Sequence, residues 1–222
     1  MRLVLACASA LAVFGAGEVQ AQAKPEVAFN LGVVSDYVFR GASQTGGDAA
    51  LQGGVDVTLG GFYAGSWASN VDFGDDTDAE VDLYGGYRTE VAGYNLEFGA
   101  GGYFYVNAPS GSDYNYVEFK ALASRAVGPV TVGAAVYHSF DYFGVDDKAS
   151  YVEANIAFVP AERWSISGAV GHQWLDVSAD YAAWNLGATY ALTDHLAVDV
   201  RYHDLDNPQA DARVTAGLKA SF

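Results

Sequence analysis

Between Leu51 and Phe73 the chain alternates apolar and polar side chains twice, with a Gly-Gly pair between the two runs. In the first run Leu51, Gly53, Val55, Val57 and Leu59 share one side, and Gln52, Gly54, Asp56 and Thr58 the other. A period of two belongs to an extended strand, because successive side chains project to opposite faces. Gly60-Gly61 then offers the positive-φ residues of a two-residue hairpin. The second run places Tyr63, Gly65, Trp67, Ser69 and Val71 on one side and ends in Gly74-Asp75-Asp76-Thr77-Asp78, an acidic loop. The unit is therefore strand, tight turn, strand, long polar loop.

That unit repeats to the last residue. A first strand is predicted over Val27–Phe39, followed by the Gly- and Ser-rich loop Arg40–Ala50. Later strands alternate in the same way, for example Val81, Leu83, Gly85 and Tyr87 against Glu80, Asp82, Tyr84 and Arg88. Long connections fall at 107–113, 141–148, 174–180 and 204–211, and short turns lie between them. About twelve strands result, an even number, with long and short connections in alternation, as in outer-membrane barrels. Strands of about 10–11 residues tilted by about 40° span roughly 25–28 Å, the height of the apolar band of such barrels. The predicted fold is all-β: a transmembrane antiparallel up-and-down barrel with short periplasmic turns and long external loops.

Composition agrees. The 222 residues include 26 Gly, 15 Tyr and 12 Phe, but only 5 Pro and 17% charged residues, which suits many short strands. A formal net charge of −16 leaves no basic patch for nucleic acid. The acidic residues cluster in the long loops, where they serve either solubility or cation binding. Residues 1–23 combine Arg2, an apolar run from Leu3 to Gly17 and Ala21-Gln22-Ala23, the layout of a cleaved Sec signal peptide. The barrel domain is then 24–222, exported to the outer membrane of a Gram-negative bacterium. Cys7 is the only cysteine, too near Met1 to follow the apolar run of a lipoprotein signal. With Cys7 removed, no disulfide or cysteine nucleophile is available, and no cofactor or metal site is expected. No later stretch of about 18 apolar residues suggests a transmembrane helix.

The polarity of the two faces points to lipid outside. Aromatics near strand ends on the apolar face (Tyr63, Tyr94, Phe104, Trp164, Tyr190, Tyr202) suit membrane interfaces. The alternative is a secreted barrel with the apolar face inward. The chain ends on Phe222, with Leu218 on the same face. That ending is similar to the terminal strand by which the barrel-assembly machinery recognises outer-membrane proteins.

Ser35 to Gly41 (SDYVFRG), Ser43-Gln44-Thr45, Ala50 to Gly54 (ALQGG), Gly65 to Phe73 (GSWASNVDF) and Glu80 to Tyr87 (EVDLYGGY) resemble the TorF family of porins, a proteobacterial outer-membrane group. The match is sharpest over 30–87. The resemblance implies a porin-like barrel and names no substrate.

Candidate lumen-lining residues are Gln52, Asp56, Glu80, Asp82, Arg88, Glu97, Glu118, Lys120, Glu153, Asp199, Arg201, Arg213 and Lys219, of both signs. Either they form opposed ladders along a narrow channel for small hydrophilic solutes or ions, or they neutralise one another and fill it. Twelve strands lie between the filled eight-stranded barrel and the open sixteen-stranded porin. Ring charge at the constriction would set selectivity, and the acidic loops lean it towards cations. Asp36, Arg40, Asn70 and Asp72 are expected to pin loops at one barrel end by bonding turn backbones. An outer-membrane lipid hydrolase is the enzymatic rival. His138-Ser139 invites it, yet adjacent strand residues face opposite sides and cannot pair directly. No G-x-S-x-G is present, and His172, His195 and His203 have no metal-ligand spacing. A closed barrel serving structure or surface interaction is the third class. Arg40–Ala50 either folds into the lumen or stays outside it.

Overall fold

The computed structural model describes residues 24–143, 147–176, 178–207 and 210–222; the predicted signal peptide, 1–23, lies outside them. Among the described residues fourteen strands follow in chain order: β1 (Glu26–Val34), β2 (Val38–Phe39), β3 (Ala42–Ser43), β4 (Ala50–Leu59), β5 (Phe62–Asn70), β6 (Ala79–Val91) and β7 (Tyr94–Val106), then β8 (Tyr116–Val127), β9 (Val130–Ser139), β10 (Ala149–Ala161), β11 (Trp164–Leu175), β12 (Tyr181–Ala191), β13 (Leu196–Leu205) and β14 (Arg213–Ser221). Twelve of them form a closed antiparallel barrel in which sequence neighbours pair. β1 closes the ring, pairing β14 from Asn30↔Ser221 to Val34↔Gly217 and β4 from Glu26↔Thr58 to Val34↔Ala50. Closure leaves no exposed sheet edge, which a lipid environment requires.

The register puts the apolar residues outside. Phe29, Leu31, Leu83, Phe98, Val117, Ile156, Leu186 and Val200 are exposed. The buried groups, by contrast, include Glu80, Glu97, Glu118, Glu153 and Gln173. A polar interior beneath an apolar wall excludes the secreted barrel with an apolar core, because so large an exposed apolar belt is stable only against lipid.

Three expectations change. The first strand stops at Val34, and Val38–Phe39 turns away to pair with Ala42–Ser43 as a separate hairpin. Its two turn residues, Arg40 (φ 48) and Gly41 (φ 87), are both left-handed, as the tightest hairpin turn demands. Tyr63 is not an interfacial aromatic on the outer wall: it is buried, and its hydroxyl donates to Glu97 Oε1 at 2.7 Å. Leu59 pairs directly with Phe62 across the turn, so β5 turns Phe62 outward and Tyr63 inward. At that turn only Gly60 has positive φ (59°). A Cβ on Gly61 would instead strike the Tyr87 ring.

Candidate functional site

The β2–β3 hairpin leaves the long-loop end of β1 and enters the barrel. Its base is held by Asp36, whose Oδ1 accepts from the Ser43 hydroxyl (2.6 Å) and the Thr45 hydroxyl (3.1 Å). Asp36 Oδ2 accepts from Arg213 Nη1 of β14 at 3.0 Å. Next along the chain, the Tyr37 hydroxyl donates to Glu80 Oε1 of β6 at 3.0 Å. Tyr37, Ala50 and Val71 form a small buried apolar cluster there, with Val34, Phe39, Trp67 and Phe73 packed around it.

The tip reaches the far wall. Arg40 donates from Nη2 to Glu118 Oε2 of β8 (2.8 Å) and from Nη1 to Gln173 Oε1 of β11 (3.0 Å). Its guanidinium also lies over the rings of Tyr151 (4.4 Å), Phe39 (4.7 Å) and Tyr137 (4.9 Å). A buried ion pair repays the loss of hydration only when its remaining donors are satisfied. Here a second acceptor and three aromatic faces supply that compensation. Gly41 presses on the wall beside it: a Cβ there would stand 2.9 Å from Leu205 Cδ2 and 3.1 Å from Ala183 Cβ. The hairpin thus spans from β1 to strands on the opposite side of the ring.

Two further networks lie on the inner face. Glu97 accepts from Arg88 Nε (2.8 Å), Lys120 Nζ (2.7 Å) and Tyr63, and the Arg88 guanidinium stacks 3.9 Å from the Tyr63 ring. Asp199 accepts from Arg201 (3.2 Å) and Thr189 (2.7 Å), while Arg201 also donates to Asn185 and Ser167. Glycines make room for these long side chains. A Cβ on Gly187 would meet the Arg201 guanidinium, and one on Gly86 or Gly99 the Tyr63 hydroxyl.

The remaining candidates are placed as follows. Asp56 accepts from the Tyr84 hydroxyl at 2.7 Å, and Glu153 from Asn155 Nδ2 at 3.0 Å. Gln52 makes only a 3.5 Å contact with Ser69, and one oxygen of Asp82 is buried without a hydrogen-bond partner. Lys219 lines a cavity against β13 and β1. Asn70 holds loop backbone, accepting from Leu51 N and donating to Ala49 O, and Asp72 caps Gly74 N. Asp36 and Arg40 instead bond side chains, Arg40 deep within the barrel. Leu218 is exposed on the outer wall, and Phe222 exchanges both backbone hydrogen bonds with Phe29. Charges of opposite sign are therefore interleaved in local pairs rather than separated into facing ladders. Sequence reasoning missed Tyr37 and Tyr63 as inner groups; their signal was position in the alternation, which the turn geometry reset.

Ser139 faces inward and is buried, away from His138 on the outer wall. His138 Nδ1 instead lies 2.9 Å from the hydroxyl of Ser150, its partner across β9–β10. The His138 ring packs edge-on against Phe140. No carboxylate or amide orients its other nitrogen among the described residues.

This is the fold of an outer-membrane β-barrel. The chain belongs to the family described as bacterial protein of unknown function (Gcw_chp), whose model matches residues 18–220. Solved structures of the same fold include the KdgM porin, with a TM-score of 0.62 at 10% identity over 88% of this chain and 98% of that one. The COG4313 outer membrane channel from Pseudomonas putida F1 gives 0.54 at 12% identity, covering 95% and 100%. Outer membrane phospholipase A from Escherichia coli gives 0.50 at 13% identity, covering 88% and 96%. At these identities the likeness is one of fold. No curated protein matches the chain.

Proposed function

We propose that this protein is a narrow outer-membrane channel for passive diffusion of ions and small hydrophilic solutes, constricted by its own β2–β3 hairpin. The observation that carries the reading is the hairpin itself. It crosses a polar lumen and is tethered to the far wall through Arg40, leaving a cavity beside it. A barrel that served only as a wall anchor needs no such cross-lumen element, and a filled lumen needs no residual cavity. The resemblance of the hairpin segment, SDYVFRG, to TorF porins supports the same reading. The long loops face outward and the short turns the periplasm; export follows Sec cleavage after Ala23, and Phe222 presents the terminal strand to the barrel-assembly machinery.

Planar-bilayer recording of the refolded chain tests this reading. Discrete conductance steps, with a reversal potential under a salt gradient, are expected. A barrel that is folded by heat-modifiable gel mobility yet gives no steps would leave a structural or surface-interaction role.

The His138–Ser150 contact favours a second reading, lipid hydrolysis at the outer wall, since a serine hydroxyl beside an imidazole is the start of a nucleophile–base pair. Among the described residues it lacks the group that orients the base. Release of fatty acid from phospholipid vesicles, abolished by Ser150→Ala with conductance intact, would establish it; no release is expected.

A further inference from the structure

The inner space is not shared evenly around the ring. On the β6–β11 side it is filled. Tyr103 stacks on Tyr116 at 4.3 Å, Tyr137 and Tyr151 lie against Arg40, and Glu97 gathers Arg88 and Lys120. On the opposite side β13, β14, β1 and β4 bound an elongated cavity of about 130 Å³. Its wall follows β13 from Ala197 to His203. Six residue steps make on the order of 20 Å, more than half the length of that ten-residue strand. Gly32, Gly217 and Ala197 leave room along its wall, beside the larger Tyr37, Trp67 and Arg201. On the filled side the buried tyrosines Tyr63, Tyr116 and Tyr151 reach into the interior.

We infer that solutes cross the barrel along this off-centre shaft, between the hairpin base and the β13–β14–β1–β4 wall, and not through the middle of the ring. The inference rests on the channel reading and adds the route and the class of solute. The shaft is smaller than the roughly 300 Å³ at which small-molecule pockets begin, so it takes hydrated ions and solutes of a few heavy atoms rather than oligomers. Asp36 faces it from the hairpin, and Arg201 and Lys219 face it from the wall. Asp199 lines the same wall and pairs with Arg201, so a passing solute meets both signs, with Lys219 opposite Asp36, and these side chains set its selectivity.

Cysteine accessibility locates the route. Cys7 is the only cysteine, so single cysteines are introduced into a Cys7→Ser chain. Gln52→Cys, Thr189→Cys and Thr215→Cys lie on the shaft; Ala135→Cys and Asn155→Cys face inward on the filled side. Each folded variant is exposed to a charged methanethiosulfonate, and modification is read by mass. Modification of the three shaft positions, with Ala135→Cys and Asn155→Cys spared, is expected, together with a stepwise fall in current. Equal modification on both sides, or modification of the filled side alone, would overturn the route. Labelling decides the route and conductance decides the channel, so the two readings fail separately. Gln52, Thr189 and Thr215 carry no ion pair of the hairpin, and a variant that fails to fold is replaced by Asn30→Cys on the same shaft.

Discussion

Arg40 and Glu118 stand 78 residues apart in sequence, yet their side chains meet at 2.8 Å, joining the tip of an internal hairpin to the far wall of the barrel. Both side chains are almost wholly buried, at 6% and 3% exposure. The pair converts a loop from one rim into a bar across the lumen.

Removing one partner of such a pair leaves the other charge buried and unpaired, at a cost of about 3–5 kcal/mol. Arg40→Ala and Glu118→Ala should each lower stability by that order in urea titrations followed by tryptophan fluorescence. The double variant Arg40→Met/Glu118→Leu should lose much less. In bilayers, Arg40→Ala should give larger and noisier steps, because the hairpin is no longer held at its tip. Unchanged step size in a folded Arg40→Ala channel would show that the hairpin does not constrict it.

Gly41 and Gly60 both have positive φ, 87° and 59°, but differ in surroundings. A Cβ at Gly41 strikes Leu205 and Ala183, whereas one at Gly60 meets nothing within 4 Å. Gly60→Ala should cost only the backbone strain, about 1–2 kcal/mol. Gly41→Ala adds a clash that lifts the hairpin from β12 and β13. Its loss of thermal stability should be the larger of the two, and its conductance the only one altered.

Asp36 and Lys219 contribute opposite charges to the shaft. Asp36→Asn removes a negative charge and leaves Arg213 without its carboxylate partner, so reversal potentials under a salt gradient should move towards anions. Lys219→Glu should move them towards cations. Shifts in the same direction would contradict a route between these two groups.

The second long loop offers a pH dependence outside the membrane span. Asp75 accepts from Thr77 N (2.8 Å) and from the Tyr114 hydroxyl (2.9 Å). The Thr77 bonds, and then Tyr114, hold the Asp75 carboxyl below the usual carboxylate range. The bond to Asp75 in turn raises the Tyr114 phenol. A lowered acid contributes order above its unfolded value and loses it as pH falls through the folded one; a raised phenol contributes below its unfolded value and loses it as pH rises. Amide protection at 71–78, taken relative to the intrinsic exchange rate at each pH, should therefore be greatest across the neutral range and fall below about pH 4 and above about pH 10. Asp75→Asn should flatten the acid limb.

Much of this architecture is legible in the alternation itself. Leu51 to Leu59 declares a strand with one apolar face, and the switch between short and long connections declares an up-and-down barrel. Charged residues on the polar face, such as Glu118 and Arg201, could be named as inner groups because period-two geometry is local and fixed. Tyr63 could not. Its face depends on how Leu59 and Phe62 register across Gly60-Gly61, and a one-residue difference reverses every side chain of β5.

The sequence by itself determined the twelve strands of the wall, the apolar exterior and the polar interior, since each follows from near-neighbour spacing. Only the tertiary structure decided that Val38–Phe39 and Ala42–Ser43 leave the wall and cross the lumen. The hairpin turn at Arg40-Gly41 is local, but its docking is not. It depends on Glu118, Gln173, Tyr137 and Tyr151, carried by four different strands that come together only when the barrel closes. Barrel closure likewise sets the cavity on the β13–β14–β1–β4 side, because it gathers Gly32, Ala197 and Gly217 from distant parts of the chain onto one wall.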